Sequence, residues 1–294
     1  MAYSQENKTI LITGATSGIG KEAACYLASL GAKVVASARN KEKGSDLLSA
    51  YKEQYPNGQG TIELVEGDFS SLQSIQNLCE QVKTSYPVID TLINNAGVWK
   101  MSYQETKDGI EETWQVNVLA PMLITHSLID LVKKSSDGRL VFTASGLHKG
   151  VVDLNNPEMR QSFSGMKSYQ QSKLADILLT RWLASKLEDT GIGAYCFHPG
   201  FVGTSIGRDG GMIMQKLMKL AGMSPKKGAE TLNFLATEPQ ENLVSGEYYV
   251  KKKVKKITAE SNDMEMANGM IEKGQTFLAD YIQSDLFADL VVNT

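Results

Sequence analysis

The chain has few of the residues from which metal sites and disulfide frameworks are built, with three cysteines and three histidines among 294 residues. Cys25, Cys79 and Cys196 are widely separated, show no CxxC spacing and are odd in number, so they read as small core residues in a reducing compartment. No metal site is expected. An excess of one charge is also missing, since 30 lysines and arginines stand against 33 aspartates and glutamates. That balance offers no general attraction for nucleic acid or an anionic membrane. No apolar run approaches the roughly 20 residues that span a bilayer. Too few residues precede the first strand pattern to hold a signal peptide. These absences predict a soluble, cytoplasmic protein with no transmembrane segment and no nucleic-acid partner.

What is present is a regular alternation. Short Val/Ile/Leu-rich runs at Thr9–Thr13, Lys33–Ser37, Thr61–Glu66, Thr91–Asn94, Arg139–Ala144, Gly193–His198 and Glu247–Lys251 are separated by longer amphipathic segments. Such a pattern predicts parallel strands joined by crossover helices on both faces of one twisted sheet of about seven strands, an α/β doubly wound Rossmann plan. The length suits a single domain. Its core is expected over residues 8–250, with a Gly- and Met-rich segment at 200–227 and a helical extension at 259–294. The extension is expected to pack beside the 200–227 segment or against a second subunit of a homo-oligomer. The run Lys251-Lys252-Lys253-Val254-Lys255-Lys256 reads as a solvated, aggregation-resistant strand edge rather than a membrane or nucleic-acid patch.

Sheets of this kind bind ligands at the carboxyl ends of their strands, and Gly14, Asp68, Asn95, Ser145 and Pro199 each follow a predicted strand. The first of these turns, Thr13-Gly14-Ala15-Thr16-Ser17-Gly18-Ile19-Gly20, lies between a strand and a helix. Its glycines let backbone N–H groups approach a pyrophosphate, and the positive end of the helix stabilises the negative charge. The spacing is Gly-x-x-x-Gly-x-Gly rather than the common Gly-x-Gly-x-x-Gly. At the end of the second strand an NAD site places a carboxylate for the ribose 2′-hydroxyl. Here Ala38 takes that place and Arg39 follows, with a fork suited to a 2′-phosphate and with Lys41 and Lys43 nearby. NADP(H) is therefore the expected cofactor. Asp68 reads on its own as an N-cap for a helix starting near Ser71.

Tyr169 and Lys173, at i and i+4, share one helix face, where an ammonium can acidify a phenol. A free tyrosine titrates near 10, and bringing it toward neutrality takes roughly 4 kcal/mol, about what a unit charge 4 Å away supplies at an effective dielectric of 20. That acidified phenol is the expected proton donor or acceptor.

Taken with Asn94-Asn95-Ala96-Gly97, Asn117, Ser145 and Pro199-Gly200-Phe201-Val202-Gly203-Thr204, the glycine turn and the Tyr-Lys pair resemble the short-chain dehydrogenase/reductase family over about residues 8–250. The resemblance implies hydride transfer between a nicotinamide and a carbonyl or alcohol. It gives Lys173 a second bond to the nicotinamide ribose, Ser145 a hydrogen bond to the substrate oxygen, and Asn117 a water that relays protons to Lys173. It places Gly14, Thr16, Ser17, Gly18, Ile19, Gly20 and Arg39 around the phosphates, and Asp68 with Phe69 at the adenine. Asn95, Ala96, Gly97, Tyr169, Lys173, Pro199, Gly200, Val202 and Thr204 follow along the cofactor. The segment 200–227 is implied to close over the substrate as a lid.

The long loop Gly146–Ser168, with His148, Asp153 and Met159, is expected at the substrate mouth. Together with Ala38-Arg39-Asn40 and His198-Pro199-Gly200, it looks like the retinol dehydrogenase and WW-domain oxidoreductase branch. That likeness implies NADP(H) and an apolar aldehyde, ketone or alcohol as the small-molecule substrate. The alternatives are a sugar-nucleotide epimerase or dehydratase and a non-catalytic dinucleotide-binding regulator.

Overall fold

The structure is a computed structural model that describes residues 3–201 and 222–290. The strands β1 (Thr9–Ile12), β2 (Lys33–Ala38), β3 (Thr61–Glu66), β4 (Thr91–Asn94), β5 (Arg139–Thr143), β6 (Gly193–His198), β7 (Tyr248–Val250) and β8 (Lys253–Val254) form one sheet in the order β3-β2-β1-β4-β5-β6-β7-β8. The first seven are parallel, and β8 returns antiparallel to β7. The sequence pattern anticipates seven strands. The eighth is two residues long and lies inside the lysine run, where alternating burial is absent. Lys251 and Lys252, at φ 51° and 64°, make the turn that reverses the chain, so the lysines form the exposed edge hairpin.

Because successive strand residues point to opposite faces, each strand feeds two cores. Leu11 and Val35 pack on one face with Leu92, Leu140 and Phe142; Ile10, Ile12, Val34 and Ala36 pack on the other. The helices α1 (Gly18–Ser29) and α2 (Lys41–Gln54) return the chain to the sheet after β1 and β2, and α3 (Leu72–Ser85) does so after β3. After β4 the chain forms α4 (Glu112–Trp114), a π-turn at Gln115–Leu119 and α5 (Ala120–Lys133). Then come α6 (Gly165–Lys186), α7 (Pro225–Gly228), α8 (Glu230–Thr237) and α9 (Met264–Leu278). Cys25, Cys79 and Cys196 are free and buried, and burial pushes the Cys25 thiol up to about 11.

One expectation changes, and the C-terminal extension gains a contact that the sequence did not name. The stretch Glu112–Lys133, 22 residues, is long and apolar enough to cross a bilayer by length and composition, which scattered polar residues such as Asn117 and Thr125 concealed as a run. In the fold, 83 % of its most apolar window is buried inside the protein, as expected of a core helix. The C-terminal extension packs on its own chain: α9 buries Ala267, Met270 and Leu278 in the core beside α6, and Trp182 Nε1 donates to Asn268 Oδ1 at 2.8 Å.

Candidate active site

Since β1 to β7 run parallel, their following residues gather along one sheet edge, and there a cavity of ≈ 970 Å³ opens. At its nucleotide end are Gly14, Thr16, Ser17, Gly18 and Ile19. Gly14 adopts φ +66°, and a Cβ on it would stand 2.8 Å from Ala96 Cα, so only glycine lets the two turns touch. The Ser17 N-cap makes no side-chain bond to the helix and the first turn of α1 holds no acidic residue, leaving the helix's positive end open to an anion.

Gly20 does not line the cavity. Its missing Cβ would meet Gly14 O at 2.4 Å and Asn95 Nδ2 at 2.5 Å, so it closes helix α1 onto the strand edge. Asn95 and Ala96 line the cavity and are held from behind: Asn95 Nδ2 donates to Thr13 O at 3.0 Å, while the backbone N–H groups of Asn95 and Ala96 donate to Thr13 Oγ1 at 2.9 and 3.0 Å. These bonds knot the ends of β1 and β4.

Arg39, Lys43 and Asp46 border the same end of the cavity, and Arg39 is exposed. No carboxylate occupies the position after β2. Asn40 caps α2 by accepting from Lys43 N at 2.9 Å. Asp68 and Phe69 line the cavity, but Asp68 is not the N-cap of α3. Its Oδ1 accepts from Ser70 N at 3.1 Å and Ser70 Oγ at 2.8 Å, and Ser71 caps the helix. Gly97, Pro199 and Gly200 also line the cavity. Val202 and Thr204 lie outside the described residues, as do Met212, Met214 and Met218 of the expected lid.

At the other end, β5 delivers Ser145 and α6 delivers Tyr169 and Lys173. The Ser145 hydroxyl approaches the Tyr169 phenol and favours its ionised form, and it accepts from Leu147 N at 3.1 Å. Its carbonyl accepts from His148 Nδ1 at 2.6 Å and from Tyr248 Oη at 3.2 Å, which fixes the loop from two sides. Lys173 Nζ stands 5.8 Å from the Tyr169 ring centroid and donates to Thr143 O and Asp176 Oδ2, each at 2.8 Å. Burial raises the Tyr169 phenol above its ordinary value; Lys173 and Ser145 work against that and Asp176 adds to it. The acidified phenol expected from the Tyr-Lys spacing is thus not reached here, because two adverse effects outweigh the ammonium.

Asn117 sits in the π-turn, a widening of the helix that favours functional positions. Its Nδ2 donates to Val98 O at 2.9 Å and Ser172 Oγ at 3.0 Å, and its Oδ1 accepts from Val98 N at 2.8 Å. The side chain therefore ties the loop after β4 to α6. Pro121, four residues on, has no N–H to offer the Asn117 carbonyl.

Two site residues escaped the sequence reading, and a third, His198, was named there only as part of a motif. Trp99 stacks on Tyr169 with centroids 4.7 Å apart and planes at 16°, and its Nε1 donates to Gly165 O at 2.9 Å. An aromatic just after Asn-Ala-Gly was the available signal. Asp176 carries none, being one acid on a long helix. His198 Nδ1 accepts the Gly146 N–H at 3.0 Å, next to Ser145. Burial, and then His148, hold the His198 imidazole below its usual range, so the accepting neutral form persists at neutral pH.

A depressed histidine contributes stability that is present above the unfolded pKa, about 6.5, and is lost as pH falls below it toward the native value. We expect the melting temperature to decline below about pH 6.5. His198→Leu should cost about 1 kcal/mol at pH 8 and flatten that decline, as measured by thermal unfolding across pH. An equally steep decline in the variant would remove His198 as the cause.

Of the long loop, Gly146 and Leu147 reach the cavity. Asp153 closes a local turn by accepting from Asn155 N and Asn156 N, each at 3.1 Å, and Met159 takes a left-handed turn position at φ 52°. Arg160 pins the loop's far part to Glu158 and Glu105 at 2.9 and 2.7 Å.

Residues 8–210 match the family model for short chain dehydrogenases, more than half of the chain. The chain belongs to the short-chain dehydrogenase/reductase family, near its retinol dehydrogenase branch. Retinol dehydrogenase 14 of Homo sapiens is 34% identical over 278 residues, covering 88% of this chain and 83% of that protein. Retinol dehydrogenase 12 of Mus musculus is 34% identical over 245 residues, covering 82% and 77%. The chloroplastic short-chain dehydrogenase TIC 32 B of Brassica napus is 33% identical over 258 residues, covering 82% and 79%.

Among solved structures, an uncharacterized protein of Mycobacterium paratuberculosis superimposes with a TM-score of 0.76 at 25% identity, covering 95% of this chain and 96% of that one. A chain from Shigella flexneri, described as a short chain dehydrogenase complexed with NADP, gives 0.62 at 25% identity, covering 83% and 96%. The protein is accordingly an oxidoreductase acting between alcohol and carbonyl with a nicotinamide dinucleotide.

Proposed function

We propose that this chain is an NADP(H)-dependent oxidoreductase that interconverts an apolar aldehyde or ketone and its alcohol, with Tyr169 as the general acid and base. The observation that carries the reading is the meeting of the Ser145 hydroxyl, the Tyr169 phenol and the Lys173 ammonium at one end of the cavity whose other end is the open N-terminus of α1. The cradle fits the dinucleotide. Gly14 and Gly18, at φ +66° and +56°, line the approach to the helix, and Arg39 and Lys43 border the end where a 2′-phosphate would sit.

Once bound, the reduced nicotinamide supplies a hydride to the carbonyl carbon. The protein's own groups handle the oxygen. Ser145 holds it by a hydrogen bond, and Tyr169 gives up its phenolic proton as negative charge develops there, leaving a phenolate that Lys173 stabilises. Asn117, buried beside Ser172 on α6, is the residue in this reading that holds the water returning a proton from solvent to Lys173. Trp99 holds the phenol ring against rotation and presents an apolar edge beside it. The retinol dehydrogenase relatives support an apolar substrate. The intact Ser-Tyr-Lys set argues against a non-catalytic regulator.

The test is consumption of NADPH and of NADH with a panel of apolar aldehydes and ketones. Turnover with NADPH, favoured in kcat/KM over NADH, is the expected result. Arg39→Asp should reverse that preference by at least about tenfold, the scale of one charge-assisted bond of about 1.5–3 kcal/mol. An unchanged cofactor ratio would remove Arg39 from the site, and no turnover with any carbonyl would end the catalytic reading.

A further inference from the structure

Asp176 is a buried carboxylate beside the reacting groups that none of the roles above uses. It lies one helical turn beyond Lys173 on α6, its Oδ2 is 2.8 Å from Lys173 Nζ, and the two side chains are 5% and 4% exposed. Burial pushes its carboxyl up to about 6, with Lys173 working the other way, and the 2.8 Å contact with the ammonium is that of an ion pair. Lys173 is kept cationic against its own burial by Asp176 and Tyr169.

The groups facing this pair are few. Tyr169 lies on the same helix. From β6 comes Cys196, whose thiol burial pushes far up, and from β5 the neutral Thr143 carbonyl. The Ser145 hydroxyl reaches Tyr169, and the neutral Asn117 amide approaches through Ser172.

A count of charge then decides the outcome. With Tyr169 as a phenol, the Tyr-Lys-Asp trio is neutral overall. Removing the phenolic proton leaves one net negative charge in a site that water scarcely reaches, which is unfavourable. Were residue 176 uncharged, the same deprotonation would turn a net positive site neutral.

We propose that Asp176 is a positioning residue that balances the Lys173 ammonium, keeps Tyr169 in its proton-donating form at neutral pH and so biases the site toward carbonyl reduction. This rests on Tyr169 being the acid of the reaction. Without the carboxylate, the ammonium would act on the phenol unopposed, and the phenolate needed for alcohol oxidation would form at lower pH.

The test is an NMR titration of the Tyr169 ring Cζ in cofactor-free protein, the signal being identified by its loss in Tyr169→Phe. The Asp176→Asn midpoint should fall below the wild-type midpoint by about one pH unit, and Asp176→Glu should return it toward wild type. A midpoint that is unchanged or higher in folded Asp176→Asn overturns the proposal. Should that variant not fold, Asp176→Ser takes its place with the same expected fall in midpoint, and a phenolate signal of the wild type at pH 7 overturns the proposal on its own. The pH profile of alcohol oxidation in kcat/KM should move with the NMR midpoint. Turnover that survives in Tyr169→Phe would dismiss the proton donor itself. A dead Tyr169→Phe with an unmoved Asp176→Asn midpoint would dismiss only the role of Asp176.

Discussion

Tyr169→Phe is expected to lower kcat for carbonyl reduction by about a thousandfold, within the range that a positioned general acid contributes. The substitution removes one oxygen and leaves the ring. Stacking on Trp99 at 4.7 Å and the buried position on α6 both survive, so the fold and the affinity for NADPH should be nearly unchanged. What disappears is the proton for the developing alkoxide and the phenol oxygen beside the Ser145 hydroxyl. Single-turnover kinetics separates these quantities, since NADPH binding is read by its fluorescence and the chemical step by its oxidation. A variant that turns over like the wild type would mean that another group supplies the proton.

Gly20→Val should have the largest effect on stability. A Cβ at this position would lie 2.4 Å from the Gly14 carbonyl oxygen and 2.5 Å from Asn95 Nδ2, distances at which something must move. Neither neighbour can yield cheaply, because Gly14 N donates to Ser37 Oγ at 3.1 Å and Asn95 Nδ2 is bonded to Thr13 O at 3.0 Å. Helix α1 would have to lift from the strand edge. The expected cost is about 3 kcal/mol, the upper end of ordinary overpacking, together with weakened dinucleotide binding because the open helix end shifts with it. Urea unfolding measures the first and NADPH titration the second. A folded variant of unchanged midpoint would show that the contact relaxes without penalty.

Most of the sheet was legible because its strands carry their own signal. β4 and β6 occupy the ranges that Thr91–Asn94 and Gly193–His198 predict, since apolar runs buried on both faces have little freedom to end elsewhere, and the half-exposed edge strand β3 also matches Thr61–Glu66. β8 was not legible, because Lys253 and Val254 are exposed and their pairing is imposed by the turn at Lys251-Lys252. The packing of α9 on α6 was equally hidden. An amphipathic stripe says that a face will be buried and is silent on which partner covers it.

The site divides in the same way. Gly14, Ser145, Tyr169 and Lys173 could be named because their spacing relative to strand ends and to each other is a local property of the chain. Asn95 and Asn117 could be named too, but not what their side chains do, since their bonds reach Thr13 and Val98 across the fold.

The sequence by itself determined the alternating architecture, the strand edge at which chemistry gathers and the residue types available there, because periodicity and turn chemistry act over a few residues. Only the tertiary structure decided how those groups are charged and held. Burial, the turn of Lys173 toward Asp176 and the stacking of Trp99 on Tyr169 depend on what surrounds a side chain in space, and electrostatic effects in a desolvated site follow distance rather than sequence separation.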